Sequence, residues 1–335
     1  MKLKDKIALV SAAGRGIGKA IAERLLNEGA IVVLVARGKE QLEQTVEELN
    51  QSRIISGVMN WGKWGENLSN NKMIELIECI IETGINTFDH ADIYGGYTTE
   101  REFGEAFKSS GIQRDKIKLI TKCGIQYPCD SKPFKIKYYD YSSKHIRYSV
   151  ENSLKNLKTD YIDIFLLHRP SPLMRNDEIA EIISKLKSEG KIKIFGLSNF
   201  TEHQIKLIKK NIDVEYNQIE CSLTNSEFLS DGVIDFCQIK NINIMAWSPL
   251  GSYFKKIDNI HKRIEPVLKK LQEKYSCSDD QLLLAWLMKH PAHILPVIGT
   301  TKKERIKASM EAIKINMDYV DWFSLLEASK GKRVA

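Results

Sequence analysis

The sequence lacks the features that mark membrane, secreted and nucleic-acid-binding proteins. No stretch approaches the roughly 18 consecutive apolar residues that a membrane span requires. The six cysteines form no Cys-x-x-Cys pair, and the first residues show no apolar run that ends in a cleavage site. Lys and Arg total 50 against 43 acidic residues, and the small excess is spread along the chain. We therefore expect a reduced, cytoplasmic protein that binds neither membranes nor nucleic acid.

Composition places the chain among ordinary globular proteins. Of its 335 residues, 43% are hydrophobic and 28% are charged, which excludes a disordered, collagen-like or disulfide-stapled chain. At about 150 residues per domain, this length corresponds to a little more than two domains or to one large domain.

The first 50 residues carry the pattern of a βαβα unit. A β-rich run at 6–11 leads into a turn with Gly14, Gly16 and Gly18, and a helical pattern follows. A second apolar run at 31–37 precedes another helical pattern at 39–51. We predict a Rossmann-like fragment here, with its glycine turn between the first strand and the first helix.

From residue 52 the alternation of strands and helices continues through eight apolar runs. The runs are RIISGVMNW, INTFDHADIY, KIKLITKCG, YIDIFLLHR, KIKIFGLSN, VEYNQIE, NINIMAWSP and HILPVIG. Eight βα repeats over about 250 residues predict an α/β fold of the (β/α)8 TIM-barrel type. Because periodicity does not distinguish a closed sheet from an open one, a doubly wound open sheet is the alternative.

Chemically useful side chains follow the predicted strands at their carboxyl ends, where barrel enzymes build their active sites. Each has an ordinary structural explanation: Asp89 as a helix cap, Lys122 as a surface lysine, His168 as a core histidine. Their joint order along successive strands favours a site. The full set is Asp89, Tyr94, Lys122, His168, Ser198, Asn199, Gln218 and Trp247.

Four of these residues suit proton donation to a carbonyl oxygen. A tyrosine hydroxyl has a pKa near 10 and is a weak acid at neutral pH. A lysine ammonium beside Tyr94 is expected to lower that pKa, and Asp89 is expected to hold Lys122 in place. His168 would orient the carbonyl oxygen toward Tyr94.

Residues 52–335 resemble the aldo-keto reductase superfamily. The resemblance lies in the ordered blocks FDHADIYGG, LITKCG, IDIFLLHRP, FGLSNF, YNQIE, AWSPLG and VIGTTKKERI. It implies a barrel that reduces a small aldehyde or ketone with a nicotinamide cofactor and without metal. It also implies that Tyr94 is the general acid and that Asp89, Lys122 and His168 complete the catalytic set.

The same resemblance implies a cofactor site that favours NADPH over NADH. Its matching positions are Ser198, Asn199, Gln218, Trp247, Ser248, Leu250, Gly251, Gly299, Thr300, Lys302 and Arg305. Arg305 matches the arginine that holds the 2′-phosphate, a role that suits a guanidinium group. Ala308 and Ser309 depart from the Glu and Asn that many members place beside the adenine, which puts the adenine contacts in doubt.

Residues 1–50 resemble the opening of a short-chain dehydrogenase, and Arg37 at the end of the second strand would suit a 2′-phosphate. That family uses a Tyr-x-x-x-Lys pair, and none of the twelve tyrosines is followed by lysine at this spacing. The nearest approach is Tyr141-Ser-Ser-Lys144. We therefore predict two domains, a truncated dehydrogenase-like segment at 1–50 and a catalytic barrel at 52–335.

Two alternative functions stay open from the sequence. One is a barrel that binds NADPH as a regulatory or redox-sensing subunit without turnover, and the other is a short-chain dehydrogenase that uses the glycine turn. Trp61 and Trp64 follow the first barrel strand, either as walls of a substrate pocket or as core residues. The substrate and the oligomeric state are not predicted.

Overall fold

The computed structural model describes residue 3 and residues 6–27, 30–49 and 53–334. The chain divides into two compact units, Met1–Ser52 and Arg53–Ala335. The boundary that the sequence places at residues 50–52 lies outside the described residues. The assignment of the two units as a truncated dehydrogenase-like segment and a catalytic barrel stays a prediction.

The N-terminal unit contains two parallel strands and two helices. Its elements are β1 (Ile7–Ser11), α1 (Gly16–Asn27), β2 (Ile31–Val35) and α2 (Lys39–Leu49). Val10, Ala13 and Ala22 form a small core, whereas Ile7 and Leu9 on the other face of β1 are exposed. Two parallel strands with helices on one face leave the other face uncovered, although parallel sheets are normally buried on both.

The second unit is a closed barrel of eight parallel strands, which confirms the predicted (β/α)8 fold and excludes the open sheet. The hydrogen-bonded order is β3-β4-β5-β8-β9-β10-β11-β12, and β12 pairs with β3 to close the ring. The barrel strands are β3 (Ile55–Gly57), β4 (Thr87–Asp89), β5 (Lys118–Cys123), β8 (Ile162–Leu167), β9 (Ile192–Ser198), β10 (Tyr216–Glu220), β11 (Asn243–Trp247) and β12 (Leu295–Ile298). All eight lie within the predicted runs.

Helices connect the strands, as a parallel barrel requires. They are α3 (Asn70–Glu82), α4 (Tyr94–Tyr97), α5 (Thr99–Ser110), α6 (Ser143–Leu157), α7 (Asn176–Ser188), α8 (Glu202–Lys209), α9 (Val233–Ile239), α10 (Asn259–Tyr275), α11 (Asp279–Met288), α12 (Lys303–Ala312) and α13 (Tyr319–Lys330). An antiparallel hairpin, β6 (Ile125–Gln126) with β7 (Tyr138–Tyr139), follows β5 and was not predicted. In the described part of the chain, no helix has the length and apolar character of a membrane span.

Side-chain alternation along each strand separates the barrel interior from the layer under the helices. In β8, Ile164 and Leu166 belong to the interior cluster, whereas Phe165 and Leu167 pack in the outer core. All six residues of β8 are buried, because both faces of a barrel strand are covered. The candidate site lies at the carboxyl ends of these strands.

Candidate active site

The four predicted catalytic residues come together at the carboxyl ends of three barrel strands. Asp89 is the last residue of β4, Lys122 lies near the end of β5, and His168 directly follows β8. Tyr94 begins α4, a one-turn helix in which Gly95 and Gly96 take left-handed backbone angles of φ 62° and 69°. Glycine adopts this conformation without strain. The chain can therefore turn tightly directly after Tyr94.

Lys122 is the centre of the site and its side chain is fully buried. Its Nζ donates hydrogen bonds to Asp89 Oδ2 at 2.8 Å, to the backbone oxygen of His90 at 2.7 Å and to Tyr94 Oη at 3.1 Å. These three acceptors use all three ammonium donors. Burial by itself lowers the pKa of Lys122, but the charges of Asp89 and Tyr94 outweigh it and leave the pKa raised.

The expectation that Lys122 lowers the pKa of Tyr94 is met only in part. Burial raises this pKa above its ordinary value, and the charge of Lys122 offsets that rise incompletely, so the net pKa is raised. The hydroxyl therefore keeps its proton at neutral pH. What Lys122 supplies in this structure is a fixed position for the hydroxyl and a positive charge beside the oxygen.

His168 lies beside Tyr94, with 6.1 Å between the ring centroids. Burial, followed by the charges of Lys122 and Arg169, lowers the pKa of His168 well below 6.5. The imidazole is therefore neutral at physiological pH. Its Nδ1 is buried and has no hydrogen-bond partner within the described residues, which is unusual for a buried polar atom.

The polar residues on the next strands join this site through two hydrogen bonds, one of them from Asn199 Nδ2 to the backbone oxygen of His168 at 3.4 Å. Gln218 in β10 donates from Nε2 to Asp89 Oδ1 at 3.0 Å. Asn199 has a left-handed backbone with φ 64°. It donates to Ser198 Oγ at 2.8 Å and accepts from Trp247 Nε1 at 2.9 Å. The structure thus brings together four of the predicted cofactor positions, with amide and hydroxyl groups beside an indole ring. They are Ser198, Asn199, Gln218 and Trp247.

A tight turn follows β11. The Gly251 N–H donates to the Ser248 backbone oxygen at 2.7 Å, and Gly251 has φ 57°. A Cβ atom at Gly251 would lie 1.9 Å from Thr224 Oγ1, so only glycine fits this position. Leu250 in the same turn packs against the outer core.

The remaining predicted cofactor residues lie after β12. Gly299 and Thr300 form the connection to α12, where Thr300 Oγ1 accepts the Lys302 N–H at 3.2 Å. The Arg305 side chain is exposed and, within the described residues, forms no ion pair or hydrogen bond. The hydroxyl of Ser309 donates to the Arg305 backbone oxygen at 2.8 Å. Ser309 is one of the two positions that depart from the family pattern beside the adenine, and its hydroxyl is used within α12.

Two buried acids behind the site were not found by sequence reasoning. Asp92 accepts from Ser149 Oγ at 2.9 Å, and burial, followed by the nearby charge of Glu100, raises its pKa to about 8. Glu100 accepts from Thr121 Oγ1 at 2.6 Å and from Ser153 Oγ at 3.1 Å. Asp92 lies in the turn before α4, where no periodicity marks it. The one available signal for Glu100 is its helical spacing to the buried residues Phe103 and Phe107 of α5.

The two tryptophans after β3 have different environments. Trp61 is fully buried and packs edge-on against Phe88, with 6.2 Å between the ring centroids. Trp64 is 37% exposed, and its ring lies 6.2 Å from Tyr94 and 5.2 Å from Tyr127. Trp61 is therefore a core residue, and Trp64 forms a wall beside Tyr94.

Two family models match the chain. The aldo/keto reductase family model covers residues 53–329, and a short chain dehydrogenase model covers residues 6–65. The second match extends over the first barrel strand, β3. Tyr141, the nearest approach to a dehydrogenase tyrosine, uses its hydroxyl on the backbone of Arg169.

Full-length relatives and solved structures agree with the first match. An uncharacterized oxidoreductase of Bacillus subtilis, YcsN, is 42% identical over 86% of this chain and 97% of its own. A 6-dehydroglucose reductase of Agrobacterium fabrum is 35% identical over 86% of this chain and 98% of its own. An aldo/keto reductase of Klebsiella pneumoniae, crystallised with NADP and acetate, superposes with a TM-score of 0.69 at 23% identity, over 82% of this chain and 90% of its own. With its barrel fold and its family match over most of the chain, this protein belongs to the aldo/keto reductase family of oxidoreductases.

Proposed function

We propose that this protein reduces an aldehyde or ketone to the alcohol with NADPH, and that Tyr94 is the proton donor. The observation that carries the proposal is the buried chain from Asp89 through Lys122 to the Tyr94 hydroxyl. A protonated phenol that is fixed beside an ammonium group can donate to an oxygen on which negative charge develops.

The residues at the barrel mouth fit a nicotinamide dinucleotide phosphate. The hydroxyl of Ser198 and the amides of Asn199 and Gln218 match the donor and acceptor groups of a carboxamide. Trp247 offers a ring on which a flat heterocycle can stack. The Ser248–Gly251 turn directly follows Trp247, and Arg305 carries a guanidinium without an anionic partner in the described chain. NADPH, when bound, supplies a hydride to the carbonyl carbon.

Each catalytic side chain has a role that follows from its contacts. Tyr94 gives its hydroxyl proton to the carbonyl oxygen, and Lys122 stabilises the negative charge that this leaves on the tyrosine. Asp89 keeps Lys122 charged and in position. His168, which is neutral, can donate a hydrogen bond that turns the carbonyl oxygen toward Tyr94; this assigns the proton to the ring nitrogen that faces the substrate.

We further propose that residues 53–335 carry the whole reaction and that the N-terminal unit contributes no cofactor site. The described residues of the N-terminal unit form two strands instead of a full sheet, and the chain lacks the Tyr-x-x-x-Lys pair. Gly18 of the glycine turn has a structural reason, because a Cβ at this position would lie 2.3 Å from the Ala12 backbone oxygen. That close approach explains the glycine by helix packing alone.

The direct test is consumption of NADPH by the purified protein with a panel of aldehydes and ketones. The proposal predicts turnover of several of them, with the matching alcohol as the product. NADPH binding without turnover of any of them would instead support a regulatory barrel.

A further inference from the structure

A positive charge that the catalytic set does not use lies at the mouth of the barrel. Arg169 directly follows His168, and its guanidinium carbon is 5.4 Å from the centroid of the Trp247 ring. Its charge lowers the pKa of both Tyr94 and His168, although burial dominates both shifts. The guanidinium therefore lies beside the Trp247 ring at the mouth of the barrel, next to the catalytic His168 in sequence.

The backbone of Arg169 is held by a buried tyrosine. The Arg169 N–H donates to Tyr141 Oη at 3.1 Å, and the Tyr141 hydroxyl donates to the Arg169 backbone oxygen at 2.5 Å. The Tyr141 ring packs against Gly124, where a Cβ would lie 2.1 Å from it. These two hydrogen bonds fix the position of the Arg169 backbone, as precise recognition of a ligand requires.

The Arg169 guanidinium has no anionic partner in the described part of the chain. The acid of the site, Asp89, already accepts from Lys122 and Gln218. A half-buried guanidinium with free donors is suited to bind a carboxylate through two parallel hydrogen bonds.

The space in front of Tyr94 therefore has two chemically different sides. Trp64 and Tyr127, whose ring centroids are 5.2 Å apart, form an apolar wall. Arg169, beside the Trp247 ring, supplies positive charge. A substrate that matches both sides carries an apolar body and an anionic group.

We propose that Arg169 binds an anionic substituent of the substrate, so that the preferred substrates are aldehydes or ketones that bear a carboxylate a few bonds from the carbonyl group. This inference rests on the proposed reductase function, and it goes beyond it by naming a substrate class and a specificity residue. The pyrophosphate of the cofactor is a second source of anionic oxygens, and the experiment below separates the two.

The experiment compares two substrates that differ in charge and by one methyl group, 4-carboxybenzaldehyde and its methyl ester, with NADPH at saturation. For the unmodified protein we expect kcat/KM to be about tenfold or more higher for the acid than for the ester, as a charge-assisted bidentate contact predicts. The preference should weaken as salt is added, because the contact is partly exposed.

Three variants assign the preference to Arg169. Arg169→Met should bring the acid-to-ester ratio close to one. Arg169→Lys should keep only part of the preference, since it retains the charge but not the planar pair of donors. Arg175→Met is the matched control, because Arg175 is exposed and already paired with Glu178, and it should leave the ratio unchanged.

The outcomes separate this inference from the proposed function. Turnover of the ester without a preference for the acid would overturn the inference and leave the reductase function standing, as would a ratio that Arg169→Met does not change. A tenfold rise in the dissociation constant of NADPH in Arg169→Met, with the ratio intact, would assign Arg169 to the cofactor instead. Turnover of neither substrate would contradict the proposed function, and the inference would fall with it.

Discussion

Lys122 Nζ and Asp89 Oδ2 lie 2.8 Å apart in the interior of the barrel mouth, with side-chain exposures of 0% and 4%. A pair this deeply buried is held in balance, because the attraction between the two charges offsets the loss of their hydration. Removing one partner leaves the other charge buried without compensation. Substitutions at this pair should therefore change the free energy of unfolding as well as the activity.

Lys122→Met should destabilise the protein strongly and remove turnover. The variant leaves the Asp89 carboxylate buried without its cation, at a cost of about 3–5 kcal/mol in the free energy of unfolding. The double variant Asp89→Asn with Lys122→Met should regain much of that stability, because no isolated charge remains, but no activity. Thermal unfolding and NADPH-dependent turnover of the three proteins test this, and equal stability of the single and double variants would contradict it.

Asp92→Asn should stabilise the protein more at high pH than at low pH. Burial and Glu100 raise the pKa of Asp92 from 3.8 to about 8, so the folded state retains a proton that the unfolded state releases. Stability therefore falls as pH rises from about 4 to about 8, and the amide, which cannot ionise, removes this dependence. Between pH 5 and pH 8, the stabilisation of Asp92→Asn relative to the unmodified protein should increase by on the order of 2–4 kcal/mol in the free energy of unfolding.

The measurement for Asp92 is denaturant unfolding at both pH values. Asp130→Asn is the matched control, because Asp130 is exposed and its substitution should give no pH-dependent gain. A gain from Asp92→Asn that is the same at pH 5 and pH 8 would show that Asp92 is ionised in the folded protein.

Two substitutions distinguish the two candidate cofactor sites. Arg305→Met should raise the dissociation constant of NADPH about tenfold or more, since it removes a charge-assisted contact with the 2′-phosphate, and should change NADH binding little.

Gly18→Val places a side chain against the Ala12 backbone oxygen and should leave NADPH binding within about twofold if the glycine turn holds no cofactor. Fluorescence titration measures both, and a large loss with Gly18→Val alone would relocate the site.

The barrel and its strand-end residues could be predicted because their causes are local. Eight apolar runs that each end in polar or glycine residues indicate the strands, and the carboxyl ends of parallel barrel strands must meet at one rim. Asp89, Lys122 and His168 are brought together by this topology alone.

What the sequence did not predict depends on burial and on long-range contacts. The raised pKa of Tyr94 follows from the depth at which α4 places the ring, and a residue type does not reveal depth. The roles of Asp92 and Tyr141 rest on partners 57 and 28 residues away along the chain. Arg169 had one available signal, its position directly after His168.

The catalytic role of Tyr94 is tested most directly by Tyr94→Phe, which removes one oxygen and keeps the ring. We expect kcat for reduction of a reactive aldehyde to fall by about 10²–10⁴-fold, the range for loss of a general acid, while the dissociation constant of NADPH stays within about twofold. Full activity of this variant would contradict the account.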